Sequence, residues 1–408
     1  MRATGFPRSP PEAVVRGYHV PMRVLTLALL LTACLPVSSG PEAVTVRVAT
    51  FNVAMGLEQK GQMAAALASG EYTRLQQLAG ILQRVRPDIV LLNEFDYDPS
   101  VDAAALLNDN YLSRAGEGQA PIRYQHSFRA PVNTGVDSGL DLDGDGKIGG
   151  PGDAWGYGQF PGQYGMLVLS RYPLDSDRVR TFREFRWAAL PDAHRPRHPD
   201  GTTFHDDATW ERLRLSSKSH WDLPLTIGTH RLHLLAHHPT PPVFDGPEDR
   251  NGRRNFDEIR FWLHYTDPAG AEFLVDDAGS AGGIGSGSAF VIAGDFNADP
   301  EDGDAVPGAV GQLLEAGWID ARCVAVSAGG AEAAQLQGGV NQNHRGDPSA
   351  DTSDFNDKYT GNLRLDYLLP AAGLKVLSCG VFWPPSGGDG RELIDVSDHR
   401  LVWIDIAL

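Results

Sequence analysis

The chain has 408 residues, 42% of them hydrophobic and 21% charged, proportions that exclude a disordered, collagenous or coiled-coil protein. A formal net charge of −17 argues against a protein that coats nucleic acid through a basic stripe, while a small or metal-complexed phosphate ester is easier to reconcile with it. No Pro/Ser-rich or charge-biased linker divides the middle of the chain, so one catalytic domain is expected over residues 41–408, behind an export signal in residues 1–40.

Met22-Arg23 precedes an apolar run, Val24 to Ala33, too short to span a bilayer and the right size for a secretory h-region. A buried strand or helix is the plainer alternative. Residues 1–21 carry Arg2, Arg8 and Arg16 among several prolines and make an odd n-region, which leaves Met1 and Met22 as alternative starts. Leu31-Thr32-Ala33-Cys34 has the order of a bacterial lipoprotein box, and cleavage near Ser39-Gly40 is its rival. The protein is therefore expected outside the cytoplasm: extracellular, periplasmic, or held at the envelope by a lipid on Cys34. Cleavage before Cys34 removes Arg2, Arg8, Arg16, Arg23 and Glu12, leaving a still more acidic chain.

Val44 to Phe51 alternates with period two, as a half-buried strand does, and ends at Asn52. Leu75, Leu78, Leu82 and Val85 recur at helical spacing between Tyr72 and Val85, and Arg86-Pro87-Asp88 stops that helix before the strand run Ile89 to Leu92. Further strands are expected at 166–170, 232–236, 290–293, 365–369 and 401–406, with an amphipathic helix from about Arg254 to Tyr265. This interleaving indicates an α/β protein.

Between these elements, Asp141, Asp143, Asp145 and Gly146 match the start of a calcium loop, although position twelve is Gly152 and Asp153 follows it. A structural calcium site there is weighed against a solvated acidic turn. His194, His198 and His205 are unevenly spaced and take no metal. The stretches Arg214 to His220 and Asp245 to Arg254 could together rim a pocket, though each residue alone reads as solvated. Gly283, Gly285 and Gly287 precede a strand and so mark a flexible loop, not a nucleotide cradle. Cys323 and Cys379 are too few and too far apart for a redox pair or zinc cluster, and in an oxidising compartment a bond between them is weighed against two unpaired buried thiols.

Polar residues collect where apolar runs end: Asn52, Glu94, His238, Asp295 with Asn297, and Asp398-His399. Any one of them could simply terminate its strand, but together they point to a shared cleft. Glu94 and Asp398 are hard oxygen ligands for Mg²⁺ or Mn²⁺, and His399 can polarise a phosphate oxygen. Asp295 and Asn297, two apart on a turn, suit activation of water and holding of a phosphoryl group.

The segments Ala49-Thr-Phe-Asn52, Ile89 to Glu94, Gly165 to Pro173, Gly294-Asp-Phe-Asn297, Leu365-Asp366-Tyr367 and Ser397-Asp-His399 resemble, in order, those of the endonuclease/exonuclease/phosphatase superfamily. The resemblance implies a four-layered α/β sandwich, two packed mixed β-sheets flanked by helices, with the site at one end. It implies a metal site of Asn52, Glu94 and Asp398, with Asp295 orienting water and Asn297 the phosphate. Asp366 would then hold His399, and His238 would be the second catalytic histidine, with His237 as the alternative if the register slips by one. The expected activity is metal-dependent phosphoesterase, with nucleic acid only as a substrate. An extracellular nuclease is the runner-up, and a non-catalytic calcium-structured binding protein the rival from another class. The substrate and oligomeric state are left open.

Overall fold

Period-two alternation decides which face each strand buries. In strand β1 (Thr45–Met55), Val46 and Val48 point one way and Ala49, Phe51 and Val53 the other, all buried. The computed structural model describes residues 15–18 and 44–408, residue 117 excepted. The expected h-region and Cys34 lie outside the described residues, and Ala43–Leu408 form one compact unit.

After β1 come α1 (Gln62–Ser69), α2 (Thr73–Val85), β2 (Ile89–Phe95), α3 (Ala103–Leu107), β3 (His126–Phe128), β4 (Met166–Ser170), β5 (Arg180–Thr181) and α4 (Asp207–Trp210). The hairpin β6 (Trp221–Ile227) and β7 (His230–Ala236) leads into α5 (Arg250–Thr266) and β8 (Phe290–Asp295). The remainder is α6 (Gly311–Leu314), α7 (Ala328–Gln337), β9 (Ser353–Asp354), β10 (Asn362–Leu363), β11 (Asp366–Pro370), β12 (Lys375–Phe382) and β13 (Leu401–Ala407). Helix α5 starts four residues before the expected Arg254 because its first turn is polar and carries no apolar periodicity. The Gly-rich tract is a loop, and its first half is fastened by Arg180, which donates to the carbonyls of Ser280 and Gly282.

Two mixed sheets result, one in the order β12-β13-β1-β2-β4-β3 and one in the order β11-β8-β7-β6-β5. The pairs β1/β2 and β7/β8 are parallel and the other pairs in these sheets antiparallel. Val46, Val48, Ile89 and Leu91 from one sheet share a core with Leu223, Leu234, Val291 and Ala293 from the other. Outside it, Leu75, Leu78 and Leu82 of α2 join Phe51 and Leu92, while Ile259 and Trp262 of α5 join Leu235 and Ile292. Each such side chain contributes about 1.5–3 kcal/mol of burial. Helix, sheet, sheet, helix is the four-layered sandwich.

Cys323 and Cys379 form a disulfide between the segment before α7 and strand β12, at a separation of 56 residues. Closing a loop of that length restricts the unfolded chain, so reduction, or Cys323→Ala with Cys379→Ala, should lower unfolding stability by about 2–4 kcal/mol. Urea midpoints with and without dithiothreitol measure this, and identical midpoints would show that the bridge adds nothing.

Candidate functional site

The polar residues at the strand ends continue the register of the core between the sheets. Asn52 has the parity of Val46 and Val48, Asp295 that of Val291 and Ala293, and Asp366 that of Leu368. The same parity separates the two histidines after β7. His238 follows Ala236 toward the space between the sheets, whereas His237 follows Leu235 outward and packs on Phe296 and Trp262. Neither nitrogen of His237 has a hydrogen-bond partner among the described residues, and burial drives its pKa far below the ordinary value. Its carbonyl oxygen approaches Gly294 so closely that a Cβ there would sit 2.2 Å away.

Glu94 breaks the alternation. By parity with Val90 and Leu92 it should face the helices, but its φ of +55° redirects it toward the cleft. Opposite, the β1/β2 register shifts between Asn52 and Met55, with Ala54 also at positive φ.

Asp295 is the hub of the site. Its Oδ2 accepts from Asn52 Nδ2 at 3.0 Å and Asn297 Nδ2 at 3.3 Å, and it lies 3.3 Å from His238 Nε2 and 3.6 Å from His399 Nε2. Its Oδ1 accepts from the Asn297 amide at 2.8 Å. Asn52 also donates to Glu94 at 3.3 Å. His399 Nδ1 is 2.8 Å from Asp366 Oδ2, and the Thr352 hydroxyl donates to that same oxygen. Ser397 fixes the backbone beneath the site by donating to the Asn52 carbonyl and accepting from the His399 amide. Asn93, unnoticed in the sequence, ties the two sheets together by donating to the His237 carbonyl and accepting from the Asp295 amide.

These contacts give the two histidines opposite electrostatics. Burial lowers the pKa of His238, with Lys218 adding to the effect, so its imidazole is neutral. Burial would do the same to His399, but Asp366 and Asp295 outweigh it and raise its pKa well above the ordinary value. Burial alone would raise Asp295, yet His399, His238 and Asn52 hold its carboxyl below the usual range. Asp295, Asp366 and His399 bring donor atoms within 4.8 Å of one another. Because His399 Nδ1 is already engaged by Asp366, that cluster reads as a hydrogen-bonded relay.

Carboxylates crowd around Glu94: burial, with the Glu94 charge behind it, pushes neighbouring Asp96 up to about 7. Such an oxygen-rich, acid-heavy corner fits a hard divalent cation. Glu94 and Asn52 are the residues that would hold it. Asp398 is exposed and outside the Asp295 network, on the rim of a cavity of about 470 Å³ that Glu94, Asp295, Asn297 and His399 also line.

Beside this cavity lies another of about 750 Å³, and the two share Glu94, Pro241, Val243 and Phe244. Arg254 and Glu258, one turn apart on α5, organise its wall. Arg254 donates to the carbonyls of Trp155, Arg214 and Leu215, while Glu258 accepts from the amides of Ser217 and Thr240, each at 2.6 Å. The stretch from Ser216 to His220 is consequently buried, correcting the expectation that its single residues are solvated, while Ser217 and Lys218 line one cavity with Arg250, Asn251 and Arg254, as the expectation of a shared pocket rim has it. Lys218 is 5% exposed, lines the cavity, and has its pKa lowered by burial.

The acidic loop brings carboxylate oxygens of Asp141, Asp143 and Asp145 within 4.8 Å of one another. Asp141 accepts from the amides of Gly144 and Gly146, and Asp153 from those of Leu142 and Gly149. Asp143 also lines the larger cavity, while His194 is bound to Asp257, which also accepts from Trp187 of that cavity's wall.

No curated protein sequence matches the chain. Among solved structures it is similar to an endonuclease/exonuclease/phosphatase from Beutenbergia cavernae (18% identity, TM-score 0.48, 89% of this chain and 72% of that one). It is also similar to a family protein from Leptotrichia buccalis (14%, 0.45, 88% and 99%) and to sphingomyelinase C from Streptomyces griseocarneus (15%, 0.43, 89% and 99%). The model of the Endonuclease/Exonuclease/phosphatase family matches residues 49–399, a span that opens just before Asn52 and closes on His399. The chain belongs to the endonuclease/exonuclease/phosphatase family, whose members are hydrolases acting on phosphoesters.

Proposed function

We propose that the chain is an exported, divalent-metal-dependent phosphoesterase that hydrolyses phosphate mono- or diesters by attack of water on phosphorus. The observation that carries this reading is the Asp295 carboxylate, buried and ionised among His238, His399, Asn52 and Asn297, beside Glu94. Asp295 orients water and takes its proton as the water oxygen bonds to phosphorus. The ester P–O bond breaks and its electron pair leaves with the alcohol oxygen. His399, kept charged by Asp366, stabilises the negative charge growing on the phosphoryl oxygens, and Asn297 positions them. A Mg²⁺ or Mn²⁺ ion at Glu94 and Asn52, with Asp398 completing the set, would supply further positive charge there when bound.

Purified mature protein should release nitrophenol from 4-nitrophenyl phosphate or bis(4-nitrophenyl) phosphate in the presence of Mg²⁺ or Mn²⁺. No metal-dependent release from either ester would reject the reading. The net charge of −17 weighs against polymeric nucleic acid, and degradation of plasmid that falls steeply with salt would reverse that judgement. Export is supported by the apolar run before Cys34 and by the disulfide, which suits an oxidising compartment. N-terminal sequencing of secreted and membrane fractions distinguishes free secretion from lipidation at Cys34. Calcium on Asp141, Asp143 and Asp145 remains part of this reading as a structural ion.

A further inference from the structure

Lys218 is a buried cation with no counterpart in the machinery described so far. Among the described residues its ammonium makes no hydrogen bond and no ion pair, although the side chain is 5% exposed. Its neighbour Glu258 is occupied by the amides of Ser217 and Thr240. Glu258, Glu94 and Asp295 favour the Lys218 charge through space without hydrogen-bonding to it, so its three donors stay open to an anion in the cavity that it lines. The surroundings agree. Arg254 spends its hydrogen bonds on carbonyls while Glu258 opposes its charge through space, and burial together with Arg250, Arg195 and Arg254 lowers His205, on the same wall, to about 4. In a chain of net charge −17, Lys218, Arg250 and Arg254 bring positive charge to a cavity that Glu94 and Asp143 also line.

Apolar and aromatic side chains, among them Trp187, Leu213 and Phe244, make up much of the remaining wall. Phe244 stands at positive φ, 88% exposed, on the boundary with the catalytic cavity. A volume of about 750 Å³ fits a compact ligand.

We infer that Lys218 is a specificity-determining residue whose ammonium takes a phosphate oxygen of a small phosphoester, while the ester's apolar or aromatic alcohol part lies in the adjoining cavity against Phe244 and Trp187. This rests on the phosphoesterase reading above and names its substrate class. An ammonium is a compact point charge with three donors, suited to an oxyanion approached from the cavity side.

The test measures binding of inorganic phosphate by titration calorimetry to the Mg²⁺-loaded full-length protein, alongside KM and kcat for 4-nitrophenyl phosphate. Lys218→Met, with Lys218→Gln as a second neutral variant, should weaken phosphate binding at least about tenfold and raise KM more than it lowers kcat. The melting temperature should stay level or rise, because an unpartnered buried charge is gone, whereas a merely structural lysine would lower it. Phe244→Ala should raise KM for the aryl ester and leave phosphate affinity unchanged. If phosphate binding depends on Lys218 but neither nitrophenyl ester turns over, the catalytic reading falls while Lys218 stands as a phosphate-binding residue. If the esters turn over and both neutral variants bind phosphate like the parent, or if the parent binds none, the inference is overturned.

Discussion

Asp295→Asn should cut kcat by at least about 10²-fold, since it removes the base while keeping the side chain's size. The loss extends beyond basicity. The carboxylate Oδ2 faces Nδ2 of Asn52, Nδ2 of Asn297 and the ring nitrogens of His238 and His399, whereas an amide brings two N–H donors into a set that already consists of donors. One buried donor is left unsatisfied in either amide orientation, at a cost of about 1–3 kcal/mol. His399 also loses one of the two charges that hold it protonated. Rates on a nitrophenyl ester, paired with thermal melts, separate the two effects. Near-parental kcat in a folded Asp295→Asn protein would remove Asp295 from the chemistry.

Glu94→Gln and His399→Ala should fail in different ways. Glu94 has few donors of its own and an acid-rich surrounding, so its neutralisation should weaken cation binding, and raising Mg²⁺ or Mn²⁺ should restore part of the rate. His399→Ala removes a buried charged donor, should cost about 10²-fold or more, and should not respond to added metal. Asp366→Asn should lose less, because Thr352 still contacts that side chain and the imidazole remains, only less charged and less firmly oriented. Initial rates across a metal titration measure all three. If both Glu94→Gln and His399→Ala kept near-full activity at limiting metal, the division of roles would be wrong.

The strand ends were legible because alternation marks a strand and the first polar residue after it marks the end of the core. That is enough to nominate Asn52, Glu94, Asp295 and His399. Choosing between His237 and His238 is a different matter, because a slip of one residue exchanges the faces of a strand and local composition does not fix the slip. The parity of Ala236 and Leu235 in the folded sheets decides it. Lys218 was least legible of all. Arg214 to His220 is polar at most positions and carries no apolar period, yet Arg254 and Glu258, about forty residues later, capture its backbone and bury it. Asn93 escapes for the same reason, since its partners His237 and Asp295 lie far along the chain, whereas Thr352 reaches Asp366 over a separation of 14 residues. Positive φ at Glu94 was equally invisible, as nothing in the run Ile89 to Phe95 announces a break in the pleat.

Glu258 gives the molecule a mechanical property as well as a structural one. One carboxylate grips the amide of Ser217, next to Lys218, and that of Thr240, two residues past His238. Hydrogen bonds to a charged group are worth about 1.5–3 kcal/mol each, so shifting either loop alone strains a shared anchor. The wall of the larger cavity and the loop that carries the neutral histidine are therefore tied to one point on α5, so displacing one relative to the other costs a charged hydrogen bond. The offset between the Lys218 side and His238 is thereby set by a single carboxylate.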